Sequence, residues 1–449
     1  MKLINNTRDL LNSLRVKSTL NLPIRNFEID SRKVKKNSVF FGLSGTRENG
    51  SIYAKEAIQK GASLAIVKEQ YSDSESKSSK IISVKSPEKT LISLAKLSMQ
   101  RYKGFVIGIT GSNGKTTTKN ILHCGIPNSF ASYKNYNNEI GLPLCALSLD
   151  KKHKKAIFEM GASKFGDIDL LSKIIKPNIG IITHIGFSHL KGLNSLNGVL
   201  KVKSELIENI KNGGTAIVPD CKYLNYWKNI RNDINFFTFG FNSSASFFPS
   251  RIKTTRGGIS FFIESEYLEK SYKINTSLIG NHNIMNILAS FSALYQTKSD
   301  IDFFIESLRD FQNSHGRLEI NSWVKGTKLI DDSYNANPDS VKASIEVLSN
   351  FKTSGKRVLV LGDMKELGRF RKKLHKQIGE YAKLNGIDIL IGFGNLTSHS
   401  VSSFGNNGFF FENKGDLYKF LISKLVRGDV VLLKGSRSME MEELIGWPF

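Results

Sequence analysis

Cysteine is scarce. The chain has three in 449 residues, Cys124, Cys145 and Cys221. Their spacing does not suit a metal site, and any pairing leaves one over, which fits a reducing compartment. Long apolar runs are missing as well. No stretch approaches the ~20 residues of a membrane span, and residues 1–16, MKLINNTRDLLNSLRV, hold no uninterrupted apolar core of signal-peptide length. A cytoplasmic protein is the expectation. Acidic residues are in short supply too: 40 Asp and Glu face 64 Lys and Arg, a net charge of +24. That surplus invites a nucleic-acid reading. The excess is spread along the whole chain, however, and no groove-reading module accompanies it. The basic runs Lys151-Lys152-His153-Lys154-Lys155 and Arg369-Phe370-Arg371-Lys372-Lys373 read as solvated faces. Basicity suits anionic small substrates such as nucleotides equally well. No nucleic acid is expected as a partner, and no membrane span is expected.

What is present is a glycine-rich loop, Gly111-Ser112-Asn113-Gly114-Lys115-Thr116-Thr117, between an apolar run at 105–110 and a helix start. Strand, glycine turn, lysine, hydroxyl and helix in that order build a phosphate cradle. Gly111 and Gly114 let backbone N–H groups turn inward, and the helix N-terminus adds partial positive charge. Lys115 would reach the β- and γ-phosphates, and the Thr116 hydroxyl would hold Mg²⁺. The general pattern asks for glycine at position 109, where this chain has Ile109. A nucleoside triphosphate is the expected ligand.

The length suggests about three domains. Residues 1–101 hold strands at 38–43 and 64–67, helices at 53–60 and 87–100, and a polar loop at 72–79. Residues 102–314 alternate short apolar strands (105–110, 156–161, 180–186, 215–219) with helices at 167–175 and 195–210. That alternation predicts a mostly parallel sheet covered on both faces. Shorter strands across 235–275 suggest an antiparallel addition before a helix at 282–295. Residues 315–449 alternate again (KLIDDS, RVLVLGD, DILIGF, DVVLLKG), which predicts a second doubly wound unit. Ligands of open parallel sheets gather at the carboxyl ends of strands. Those ends carry the phosphate loop, Glu159, His184 with His189, Asp331 with Asp332, Asp363, and Lys434. A single carboxylate there could simply cap the next helix; six such ends together point to a Mg-nucleotide site with an acyl substrate.

GSNGKTTT, YNNEIGLPL (136–144), EMG (159–161), SHL (188–190), KSE (203–205) and GNHNIMN (280–286) occur in the order found in the Mur ligases, which this chain resembles. These are ATP-dependent amide ligases of peptidoglycan precursor synthesis. The runs DDSYNANPDSV (331–341), LGDMKELG (361–368) and KGSR (434–437) resemble the branch that adds D-Ala-D-Ala to UDP-N-acetylmuramoyl-tripeptide. The resemblance implies an α/β chain of three domains: a small N-terminal domain for the UDP-sugar, a central P-loop-type ATPase domain, and a Rossmann-like C-terminal domain that closes on ATP and binds the dipeptide.

Residue by residue, the resemblance implies that Gly111 to Thr117 cradle the phosphates, with Lys115 catalytic. Thr116, Glu159, His189 and a carbamylated Lys203 would hold Mg²⁺. Taken alone, His189 could be structural and Lys203 an ordinary exposed helical lysine. Asn283 and Asn286 match the adenine side, although Asn281 or Asn283 could equally cap a helix. Arg317 and Asp332 match residues that close on ATP from the third domain. Ser31 and Arg32 match the UDP-contacting motif, Asn137 and Asn138 the muramoyl-peptide side, and Tyr334, Asn335 and Asn337 the dipeptide or domain-ordering side. A monomer is expected. The chain departs from the family at Asn49-Gly50-Ser51, at Ser163-Lys164, at His184 and at Lys191, which concerns substrate contacts rather than the phosphate chemistry. A nucleic-acid-stimulated ATPase, a Mur-like ligase of another acceptor and a binding module without turnover are the competing readings.

Overall fold

The computed structural model describes residues 2–45, 48–69, 79–255 and 258–446; the loop expected at 72–79 lies outside these apart from Ser79. The first part opens with α1 (Thr7–Ser13) and builds a parallel sheet in the order β1 (Asn26–Glu28), β2 (Ser38–Phe41), β3 (Leu64–Lys68), β4 (Ile81–Val84). Helices α2 (Ala54–Gln59) and α3 (Pro87–Arg101) accompany it. The start of α3 follows from its sequence. The Ser86 side chain accepts from Lys89 N, Pro87 opens the first turn, and Glu88 sits against the helix dipole.

The central sheet is parallel throughout and runs β10-β9-β8-β5-β7-β6. Its strands are β5 (Phe105–Thr110), β6 (Phe130–Ala131), β7 (Lys155–Glu159), β8 (Ile179–Ile182), β9 (Thr215–Pro219) and β10 (Asn235–Phe239). Between them lie α4 (Lys115–Gly125), α5 (Gly141–Leu147), α6 (Asp167–Ile175), α7 (Leu190–Leu193), α8 (Leu196–Glu208) and α9 (Leu224–Ile230). The inner strands are almost wholly apolar because both faces are covered. An antiparallel sheet, β11 (Phe248–Thr255), β12 (Gly258–Glu264) and β13 (Tyr272–Thr276), precedes α10 (Asn281–Gln296) and α11 (Ile301–Arg309). Two expectations are corrected here. The strand at 235–239 pairs in parallel with β9 and extends the main sheet, so the antiparallel addition begins only at Phe248. Helix α10 is capped by Gly280 at φ 86° with no side-chain cap, so neither Asn281 nor Asn283 fills that role.

The third sheet runs β14-β15-β19-β16-β17-β18, parallel except for β14. It comprises β14 (Glu319–Ser322), β15 (Lys328–Asp332), β16 (Arg357–Gly362), β17 (Ile389–Phe393), β18 (Gly408–Phe411) and β19 (Val430–Lys434). Its helices are α12 (Pro338–Ser349), α13 (Arg371–Leu384), α14 (Ser398–Phe404) and α15 (Lys414–Lys424). The first two sheets share one apolar core, in which Val39, Phe41 and Leu94 cluster with Leu142, Leu147 and Ile168. Ile330, Leu359 and Leu432 of the third sheet belong to the same cluster, and the site lies where the carboxyl rims of the central and third sheets face each other.

Candidate active site

The carboxyl end of β5 sits between β7 and β8, where the central sheet reverses its strand order. The crevice there is the binding position that a doubly wound sheet offers. The loop that leaves β5 needs both of its glycines. Gly111 adopts φ 148° and Gly114 φ 83°. A Cβ on Gly111 would stand 2.0 Å from Thr183 Oγ1, and one on Gly114 2.3 Å from Asn286 Oδ1. The loop is pinned from β8. Ser112 N donates to His184 O at 2.8 Å, Ser112 Oγ donates to Gly186 O at 2.9 Å, and Thr183 Oγ1 donates to Asn113 O at 2.5 Å. Ser112 therefore braces the loop with both its amide and its hydroxyl. Lys115, at the start of α4, folds back and donates to Gly111 O at 2.6 Å and Ser112 O at 3.3 Å. Burial pushes its pKa down, with Arg317 adding to the effect and Glu159 opposing it.

Glu159 ends β7 directly across from the loop. Its Oε2 accepts from Thr116 Oγ1 at 2.9 Å and its Oε1 from Asn137 Nδ2 at 2.9 Å. Asn137 thus orients the carboxylate, while Asn138 Oδ1 accepts Gly141 N at 2.8 Å and shapes the entry to α5. A carboxylate and a hydroxyl converging beside a phosphate loop are hard oxygen donors of the kind Mg²⁺ takes, with water and phosphate oxygens completing its shell. Among the described residues no group of three or more His, Cys, Asp and Glu forms a self-contained cage. The residues present fit a metal that arrives with a nucleotide.

Lys203 lies on α8 and is only 1% exposed, so the exposed-lysine reading is set aside. Burial holds its amine well below the usual lysine range, and the nearby Lys115 charge adds to this. Asn283 and Asn286 line the crevice from α10. Asn286 Nδ2 donates to Asn283 Oδ1 at 3.0 Å, and Asn286 Oδ1 accepts from Thr118 Oγ1 at 3.4 Å. Asn286 therefore lies directly under the loop. Thr117 also lines the crevice.

The opposite wall comes from the third sheet. Arg317 Nη2 donates to Thr116 Oγ1 at 3.3 Å, its guanidinium lies 4.1 Å from the centre of the Tyr334 ring, and its Nε is buried without a hydrogen-bond partner. Asp332 and Lys434 face each other across the β15–β19 register at 2.5 Å, and Ser344 Oγ donates to Asp332 Oδ2 at 2.6 Å. Lys434 also donates to Asn335 O at 3.0 Å. Asn337 caps α12 through Ser340 N and exchanges amide hydrogen bonds with Asn113, at 2.6 and 3.2 Å. Together these walls enclose about 1120 Å³.

Three contacts here were not read from the sequence. Asp339 Oδ2 accepts Phe187 N at 2.7 Å and lies 3.9 Å from His184 Nε2. Glu366 Oε2 lies 2.6 Å from His189 Nδ1, and the side-chain contact with His189 holds the carboxyl below its usual range. Lys119 Nζ stands 3.6 Å from Glu159 Oε2. The first two join the central and third sheets, and Lys191 N adds a bond to Glu366 O at 2.9 Å. His189, expected beside a metal, is thus held by the third domain's 361–368 segment. Ser31 and Arg32 lie elsewhere: every residue lining the crevice falls at 112 or later. Arg32 is held in a fork by Asp30, at 2.9 and 3.0 Å, with its side chain 85% exposed.

Comparison with known proteins agrees with this architecture. Residues 23–99 match the Mur ligase family catalytic domain, 109–294 the Mur ligase middle domain, and 316–437 the Mur ligase glutamate ligase domain. The UDP-N-acetylmuramoyl-tripeptide–D-alanyl-D-alanine ligase of Bacillus subtilis is 31% identical over 445 residues, covering 96% of this chain and 95% of its own. The crystal structure of MurF from Acinetobacter baumannii superposes with a TM-score of 0.88 at 26% identity, covering 97% of this chain and 96% of that one. MurF ligase from Thermotoga maritima in complex with ADP superposes with a TM-score of 0.82 at 29% identity, covering 94% and 96%. The chain belongs to the Mur ligase family, and its likeness within that family is to MurF.

Proposed function

We propose that this chain joins D-Ala-D-Ala to the terminal carboxylate of UDP-N-acetylmuramoyl-tripeptide at the expense of ATP, releasing ADP and phosphate. A carboxylate is a poor electrophile because oxide is a poor leaving group. One of its oxygens therefore attacks the γ-phosphorus of ATP, and ADP departs to leave an acyl phosphate. The dipeptide amine then attacks the carbonyl carbon, loses a proton, and expels phosphate with the original carboxylate oxygen. Such chemistry asks a protein for positioning and for neutralisation of phosphoryl charge.

The observation that carries this reading is the chain Arg317–Thr116–Glu159, which crosses from the third domain to the phosphate loop. Lys115 exchanges its two loop carbonyls for phosphate oxygens. Arg317, with its Nε unpartnered, adds a second cation from the facing wall. Asn283 and Asn286 take the adenine side, and Asp332, fixed by Lys434, the ribose side. Asn137 and Asn138 face the muramoyl-peptide, and Tyr334, Asn335 and Asn337 the dipeptide end. A magnesium ion held by Thr116, Glu159, His189 and a carbamylated Lys203 would neutralise phosphoryl charge. The depressed amine of Lys203 suits carbamylation, since only a neutral amine adds carbon dioxide, losing a proton as it does so.

Residues 1–101 receive the UDP-sugar through Ser31 and Arg32, 102–314 hold ATP, and 315–449 close over it as a monomer in the cytoplasm. Among the described residues no helix is long and apolar enough to cross a membrane. The test is phosphate release with ATP and UDP-N-acetylmuramoyl-tripeptide, with and without D-Ala-D-Ala. Release that requires the dipeptide is expected; release driven instead by a single amino acid, or by DNA or RNA, rejects the assignment.

A further inference from the structure

Two lysines lie one helical turn apart on α4 and do different things. Lys115 lines the crevice and reaches its own loop. Lys119 does not line the crevice, is 3% exposed, and points its ammonium at Glu159 from the buried side. The separation, 3.6 Å, is an ion-pair distance, longer than a good hydrogen bond. The close hydrogen bonds to Glu159 come from neutral groups, the Thr116 hydroxyl and the Asn137 amide. Both of those donors can turn away and leave carboxylate oxygens free. Lys119 supplies charge without occupying an oxygen at hydrogen-bond distance.

A buried carboxylate with no counter-charge is expensive, and one gripped by a cation at hydrogen-bond distance is closed to other ligands. The Lys119 arrangement avoids both. It places a positive charge beside Glu159 when the crevice is empty, and by like-charge repulsion it lowers the affinity of the same carboxylate for a divalent cation. Lys115 stands near that carboxylate as well, and Arg317 reaches Thr116 beside it. Their combined charge ties metal entry to the arrival of the nucleotide's phosphates.

We propose that Lys119 is a positioning residue for Glu159, a resident counter-cation that holds the carboxylate ready and sets a deliberately modest grip on the divalent ion. The inference rests on the metal role proposed for Glu159. It goes beyond that role in assigning a function to a residue that touches neither nucleotide nor substrate.

The test uses the full chain at pH 8 and compares wild type with Lys119→Met and Lys119→Arg. Thermal melting is followed without metal, with MgCl₂ alone, and with ADP while MgCl₂ is titrated. For Lys119→Met we expect a lower melting temperature without metal, a larger rise on adding MgCl₂ with ADP, and a half-saturating Mg²⁺ concentration about tenfold lower, since removing a unit charge near a divalent ion is worth at least that much. Lys119→Arg should restore the metal-free melting temperature. In a Glu159→Gln background, Lys119→Met should leave the Mg²⁺ dependence unchanged. A higher Mg²⁺ requirement in Lys119→Met, or weaker ADP binding without metal, overturns the proposal and makes Lys119 a phosphate-side cation. If Lys119→Met does not fold, the Arg variant and the Glu159→Gln pair decide, because an Mg²⁺ requirement in Lys119→Arg far from wild type contradicts a charge role. Wild-type protein that releases no phosphate with the dipeptide would instead reject the proposed function and leave the metal titration to stand on its own.

Discussion

The central and third sheets each bring a lysine and an acid to their carboxyl rims, and the two rims are wired in opposite ways. At the third, Lys434 and Asp332 close on each other at 2.5 Å, with Ser344 and the Asn335 carbonyl filling the remaining valences. At the central rim, Lys115 rests on two loop carbonyls and Glu159 on a hydroxyl and an amide, all neutral partners that can be exchanged. A closed ion pair is architecture: it holds β15 to β19 and fixes one wall of the crevice. An open set of neutral contacts is a site in waiting. The same residue types are therefore told apart by what satisfies them.

Breaking the open rim should cost activity, and breaking the closed one should cost stability. The largest effect is expected for Lys115→Ala. Phosphate release should fall by about a thousandfold or more with little change in melting temperature, since a main phosphoryl cation is removed; near-normal turnover would defeat the site assignment. Lys434→Met strands a buried carboxylate, so a loss of about 3–5 kcal/mol in unfolding free energy is expected in denaturant titration. Adding Asp332→Asn should recover much of that loss. Arg317→Ala should lower kcat/KM about a hundredfold by removing the facing cation, while circular dichroism stays unchanged. Asn113 and Asn337 join the two rims, and a double-mutant cycle to Ala should give a coupling of about 1 kcal/mol in the liganded protein.

The smallest effect is a pH dependence on the closed side. His375 is buried, accepts Met364 N on Nε2 at 3.0 Å, and meets Arg371 O through Nδ1 at 2.7 Å, which fixes a neutral ring. Burial lowers its pKa from the ordinary 6.5. A histidine depressed in the folded state binds fewer protons than in the unfolded chain, so its contribution is complete above 6.5 and is lost as pH falls below it. Melting temperatures measured from pH 7.5 down to 5 should decline, and His375→Gln should flatten that slope.

The difference between the rims also explains what could be read from the sequence. The phosphate loop is local: strand, Gly111, Gly114, lysine and helix are contiguous, and the positive φ values at those glycines are a property of a few consecutive residues. The alternation of apolar strands and amphipathic helices gave two doubly wound sheets for the same reason. Pairing between distant segments carries no such mark. Strand β10 was expected in the antiparallel addition because nothing within 235–239 says that its neighbour is β9. Short strands such as β1, β4 and β6 are too brief for a period to show. Glu366, Asp339 and Lys119 gain meaning only when two domains, or two turns of one helix and a strand end, come together. Glu366 lies inside the LGDMKELG run that helped identify the family, yet its partner His189 is far away in the chain.

The central claim is that the open rim makes an acyl phosphate. The direct measurement is positional isotope transfer, with UDP-N-acetylmuramoyl-tripeptide labelled with ¹⁸O in its terminal carboxylate and turned over with ATP and D-Ala-D-Ala. An attack by that carboxylate on the γ-phosphorus predicts one labelled oxygen in the inorganic phosphate released and the other retained in the new amide. Phosphate free of label, with amide formed at the same rate, would contradict the account.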